Sequence, residues 1–100
     1  MVKITWANDG LESLHQAAEF HRPYSAAFAD ALIERVIEKV FLLENLPQMG
    51  RVVPEIGRPD IRELLYRQYR IVYQIVSPAN VAVLLIHNSA RPLSLESLFG

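Results

Sequence analysis

Residues 61–87 read IRELLYRQYRIVYQIVSPANVAVLLIH, and the rhythm of this stretch decides the fold. Apolar side chains recur at every second position. Tyr69, Ile71, Tyr73 and Ile75 fall on one face, and Arg70, Val72, Gln74 and Val76 fall on the other, which is the pleat of a β-strand. Ile61–Tyr66 reads as the strand before it and Val81–His87 as the strand after it, with Ser77-Pro-Ala-Asn80 as a turn. Strands this close in sequence predict an antiparallel meander.

Upstream the period lengthens to that of a helix. In residues 23–44, Ala29, Ile33, Val36, Val40 and Leu43 recur at three- and four-residue spacing, Ile37 and Phe41 widen the stripe, and Asp30, Glu34, Arg35, Glu38 and Lys39 form the wet side. Pro23 is suited to a first helical turn and separates this helix from an earlier one over residues 9–21. Leu11, Leu14 and Ala18 share a face of the earlier helix, and Asp9 with Glu12 has the spacing of a capping box. Val2, Ile4 and Trp6 alternate as a short first strand. Residues 46–59 hold three prolines and two glycines and read as a loop, with an extended stretch at Arg51-Val-Val. The tail from Asn88 holds a short turn of helix after Ser94. The order β-α-α-β-β-β predicts one α+β domain over residues 1–100, an antiparallel sheet with an N-terminal helical hairpin on one face and the other face partly open.

Composition narrows the function classes. An apolar share of 51 % excludes a disordered chain. There is no cysteine, hence no disulfide scaffold and no thiolate metal site, and a reducing cytoplasm is the expected setting. No apolar run reaches the ~18 residues of a membrane span, and Lys3 is followed by no signal-peptide core. The net charge of −1 conceals an asymmetry: residues 1–46 sum to −3 and residues 47–100 to +2. All the cations of the second half are arginines: Arg51, Arg58, Arg62, Arg67, Arg70 and Arg91. Their planar forks suit carboxylates and phosphates.

Arg62 and Arg70 lie on neighbouring strands, Arg91 follows the last strand, and His87 ends it. One reading converges the three arginines and His87 on the open face as an anion or protein-carboxylate site. The other pairs the arginines with Glu63 or Asp60 for solubility. Tyr66, Tyr69 and Tyr73 are core residues with wet tips, or stacking partners of a nucleic acid. His15 and His21 complete no metal set, the serines have no neighbouring base or Gly-rich elbow, and no glycine loop cradles a phosphate. A cofactor is not expected. The apolar helix faces are core, or a groove for a partner helix.

Several words of the sequence, in order, resemble the RelE/ParE toxin superfamily of bacterial and archaeal toxin–antitoxin pairs. Trp6 closes the first strand ahead of Asp9-Gly-Leu11. Leu46-Pro47 and Gly50-Arg51-Val-Val-Pro54-Glu55 are similar to the family's loop. Ile61-Arg62-Glu63-Leu64, Tyr69-Arg70-Ile71-Val72-Tyr73, and His87 with Arg91 are similar to its strands and ending. The resemblance implies a cytoplasmic toxin that forms a hetero-oligomer with a cognate antitoxin whose C-terminal segment wraps it. Two activities occur in the family: ribosome-dependent cleavage of mRNA in RelE-like members, and poisoning of DNA gyrase in ParE-like members. Residues 88–100 contain no tyrosine or histidine, and the chain has only two lysines, so the acid, base and cations of a nuclease are incomplete. The loop and Ile-Arg-Glu-Leu words are commoner among ParE-like members. The resemblance therefore favours a non-catalytic gyrase inhibitor, with Arg62, Arg70, Tyr73, His87 and Arg91 as its contact residues. The alternative is an mRNA endonuclease using Arg70, His87 and Arg91.

Overall fold

The computed structural model describes residues 1–100, which run β1 (Lys3–Trp6), α1 (Asn8–His21), α2 (Ala26–Leu42), β2 (Arg51–Val52), β3 (Ile61–Tyr66), β4 (Tyr69–Ser77), β5 (Asn80–Asn88) and α3 (Leu95–Phe99). The α+β reading holds. The five strands form one sheet in the order β1-β5-β4-β3-β2. Its β2–β3–β4–β5 part is the antiparallel meander, but β1 pairs parallel to β5, with Ile4 opposite Val81 and Trp6 opposite Val83. The sheet is thus mixed rather than antiparallel throughout. The connection between these parallel neighbours is the whole of α1, α2, β2, β3 and β4: the helices lead to the far edge at β2, and the meander works back to β5. No helix is long and apolar enough to cross a membrane.

The helical hairpin covers one face of the sheet. Leu14 and Ala17 of α1 and Leu32, Val36 and Val40 of α2 pack on Tyr69, Ile71, Val83 and Ile86, and Leu43 closes the core over Tyr73 and Val81. The buried stripe is narrower than the periodicity suggested. Leu11, Ile37 and Phe41 are exposed, and Leu32 occupies the core in place of the outer residues. The cap assignments also shift. Helix α1 starts directly after β1 with Ala7 as its N-cap and no side-chain cap, so Asp9 lies inside the first turn. Pro23 falls in the turn between the helices, and Ser25 caps α2 by accepting the Phe28 amide.

The second face is not open. Val53, Ile61, Val72 and Leu84 form a second core there, roofed by Leu93 and Leu98 of the C-terminal segment. As a result Tyr69–Tyr73 are buried in unbroken sequence, with helices on one side and the tail on the other. A bulge between Val72 and Tyr73 leaves Leu84 as an extra residue on β5, and Leu84 and its neighbour Leu85 both pack against the tail core.

Only residues 80–83 of β5 pair with β1. Beyond them α1 takes the place of a strand. The Ala7 amide donates to the Val83 carbonyl (2.9 Å), and the Ile86 amide donates to Ser13 Oγ (2.8 Å). Close approach is possible because Gly10 has no side chain: a Cβ there would lie 2.5 Å from the Val83 carbonyl oxygen. That oxygen belongs to a strand and cannot move aside. Alanine is the better helix former by about 1 kcal/mol, yet Gly10→Ala is expected to lower the chemical-denaturation stability by about 1–3 kcal/mol through overpacking.

Candidate functional site

The register separates the arginines that the sequence brought together. Arg62 is opposite Tyr73, on the helix face at the sheet margin. Arg70 is opposite His87, on the tail face. The side-chain period of a strand is two, so adjacent parity sends them to opposite sides. Arg62, Arg70 and Arg91 therefore do not converge; of the set, the register joins Arg70 with His87, and Arg62 with Tyr73.

Arg62 and Tyr73 hold the loop after α2. The Arg62 guanidinium donates to the carbonyls of Pro59 (2.9 Å), Gly50 (3.0 Å) and Gln48 (3.4 Å). The Tyr73 hydroxyl donates to the Pro47 carbonyl (2.7 Å) and accepts the Gly50 amide (2.9 Å). Burial pushes the Tyr73 hydroxyl up from its ordinary pKa, so it remains a donor at neutral pH. Its accessible surface is zero, which places it in the core rather than at a contact face.

Arg70 is also internal, and its charge is met by two carboxylates. Nη1 and Nη2 donate to the two oxygens of Glu55, and Nε donates to Glu63 Oε1, each at 2.6 Å. Glu63 is buried and gives its second oxygen to Arg51 Nε of β2. Glu55 Oε2 also accepts the Leu93 amide (3.1 Å). The chain Arg51–Glu63–Arg70–Glu55–Leu93 thus ties together β2, β3, β4, the loop after β2 and the tail. Hydrogen bonds from Arg70 hold the Glu55 carboxyl at about 2, and the paired carboxylates hold Arg70 charged well beyond its already high pKa. The sequence pointed to Glu63 only as a surface partner. Ile61 and Glu63 share that face of β3, but the carboxylate requires a buried cation only because the tail roofs the face, which the local pattern does not show. Glu55 was visible as part of the loop word, but its role was not.

The remaining cations sort by what they touch. Arg58 pairs with Asp60 (2.8 Å). The guanidinium of Arg67 lies over the rings of Phe28 (6.0 Å) and Tyr66 (5.9 Å). Among the arginines of the second half, only Arg91 has a side chain with no carboxylate, carbonyl or ring partner. Its backbone is fixed: the Arg91 amide donates to the Asn88 carbonyl (3.1 Å), and His87 Nε2 is 3.1 Å from the Arg91 carbonyl oxygen. Arg91 and half-buried His87 line a groove of about 440 Å³ between α1 and the unpaired end of β5, together with Ser13, Gln16, Phe20 and Tyr69. No acidic side chain lines it. The Tyr69 hydroxyl is 2.8 Å from His21 Nε2 at the end of α1. The groove can take an anionic or hydrogen-bonding partner; Arg70 faces the carboxylates that hold it.

A family model described as the ParE toxin of the type II toxin–antitoxin system, parDE, matches residues 4–92. No curated protein matches the chain significantly. Among solved structures, the chromosomal ParDE toxin–antitoxin system from P. aeruginosa is similar, with a TM-score of 0.72 and 19 % identity over 88 % of this chain and 96 % of that one. At that identity the likeness is one of fold.

Removing one partner from a buried ion pair leaves an uncompensated charge and typically costs about 3–5 kcal/mol. Arg70→Met is expected to lose stability on that scale in urea titration, whereas Arg91→Ala should leave the midpoint unchanged.

Proposed function

The chain belongs to the ParE toxin family of type II toxin–antitoxin systems, and on that premise we propose that it arrests growth by binding and poisoning DNA gyrase. One observation supports binding over strand cleavage. A phosphodiester-cleaving site needs cations free to meet the charge that develops in the transition state, with an acid and a base beside them. Arg70, the strand arginine that such a site would draw on, is buried and saturated by Glu55 and Glu63. What remains at the groove is one free guanidinium, Arg91, beside His87. That is a contact surface with an electrostatic anchor. The proposed target contacts are therefore Arg91 and His87, with Arg62, Arg70 and Tyr73 acting from behind as framework.

The antitoxin is the second partner. Phe20, Tyr24, Phe41, Leu46 and Met49 are exposed by 41–84 %. Phe20 and Tyr24 lie at one end of α2, and Phe41, Leu46 and Met49 at the other, so a partner laid along the helix covers both groups. We assign them to the cognate antitoxin, which neutralises the toxin as a hetero-oligomer in the cytoplasm.

Purified toxin incubated with gyrase, supercoiled plasmid and ATP is expected to accumulate cleaved plasmid. A parallel translation reaction should keep its mRNA intact. Arg91→Ala should need at least tenfold more protein for the same cleavage. Codon-phased cuts in the mRNA with undamaged plasmid would instead make the protein a ribosome-dependent endonuclease.

A further inference from the structure

We propose that residues 93–99 are a strap seated on the sheet by Glu55, and that Glu55 is the positioning residue that fixes Arg91 beside the groove. Only the consequence for Arg91 rests on the gyrase-binding reading; the seating stands on geometry alone.

Little holds the tail. Its apolar contacts are two side chains, Leu93 and Leu98, on Val53, Ile61, Val72 and Leu84. Its helix α3 is one turn and is capped internally by Ser94 and Ser97, so it takes no support from the sheet through its caps. The only hydrogen bond from a side chain of the framework to the strap backbone is the one that Glu55 Oε2 accepts from the Leu93 amide. That oxygen is one of the pair held by Arg70, whose Nε is held by Glu63. The place where the tail meets the sheet is therefore set by the buried Glu63–Arg70–Glu55 network. Upstream, the Asn88 carbonyl and His87 fix the Arg91 backbone. Downstream, the Leu93 amide fixes it two residues later. Arg91 and Pro92 are spanned between these anchors, and the otherwise unrestrained Arg91 side chain projects from a fixed base.

The charged groups facing Glu55 are Arg70 from β4 and, through Arg70, Glu63 from β3 and Arg51 from β2. Arg70 is the first cause that holds the Glu55 carboxyl at about 2 and stays beside it whether or not the tail is seated, so the acceptor of the Leu93 amide stays ionised well below neutral pH. The Arg70–Glu55 pairing loses its contribution to folding as the pH falls from 4.5 towards 2, and the whole framework loses stability there, not the tail alone.

Amide hydrogen exchange on the full-length chain tests the seating. In Glu55→Gln, Leu93 and Ser97 should lose at least tenfold protection through a local opening that is insensitive to denaturant, whereas any loss at Ile71 and Val72 follows the global stability. In Leu98→Ala, which leaves the clasp untouched, Ser97 should lose protection while Leu93 keeps it. An unchanged tail in Glu55→Gln, or tail amides whose exchange follows the same denaturant dependence as the core, overturns the strap. If Glu55→Gln does not fold, Leu98→Ala decides: Leu93 losing protection together with Ser97 overturns the seating by Glu55. Induced growth arrest tests the positioning role. Glu55→Gln should weaken arrest about as much as Arg91→Ala, and the double variant no further. Additive losses, or an Arg91→Ala toxin of full potency, overturn the positioning role whatever the exchange data give.

Discussion

A guanidinium inside a sheet must be met by carboxylates, and much of this molecule is arranged around that requirement at Arg70. Burying the charge unpaired costs several kcal/mol, and a paired charge recovers the cost only with good geometry. Here the geometry is three short bonds to two carboxylates, one of them bidentate. The partners come from distant points of the chain. Glu63 lies on the neighbouring strand, Glu55 in the loop after β2, and each has a second duty, to Arg51 and to the Leu93 amide. A single buried cation thus sets the course of the loop, the edge strand and the tail. No buried side-chain polar atom is left without a partner.

This arrangement explains why arginine is abundant where lysine is absent. Arg70 and Arg62 use several donors of the guanidinium to bind two carboxylates or a set of carbonyls, and Arg51 meets Glu63 through Nε alone. Lysine offers a point charge and could not hold two oxygens side by side. Most of the positive charge in the second half is thereby consumed in structure. What is left for a partner is small and local: Arg91 at the mouth of the groove, with His87 behind it.

Much of the fold was legible in the sequence. The change of period from helix to strand located the hairpin and the meander, and the strands begin and end within two residues of their expected limits. Three features were not legible, each for a physical reason. The parallel docking of β1 depends on which edge of the meander is free, which no local pattern encodes. The exposure of Ile37 and Phe41 follows from the narrowness of the contact between one helix and a sheet, since an apolar stripe can be wider than the surface that receives it. The roofing of the second face depends on Leu93 and Leu98, which lie in a stretch without periodicity. For the site, the residue types were visible but their sides were not. The parity of Arg62 and Arg70 separates them, and the burial of Arg70 turns a contact residue into framework. The alternation around Glu63 did not disclose that outcome, because nothing local shows that its face becomes core.

The central claim is that Arg70 and Glu55 act as one buried unit on which the tail and the groove depend. A double-mutant cycle on folding stability, with Arg70→Met, Glu55→Gln and both together, tests it most directly. A coupled pair should show a non-additive interaction of about 2 kcal/mol or more, with the double variant recovering part of the single loss. Losses that add within about 0.5 kcal/mol would mean that the two residues act independently, and the clasp would then be only a contact between neighbours.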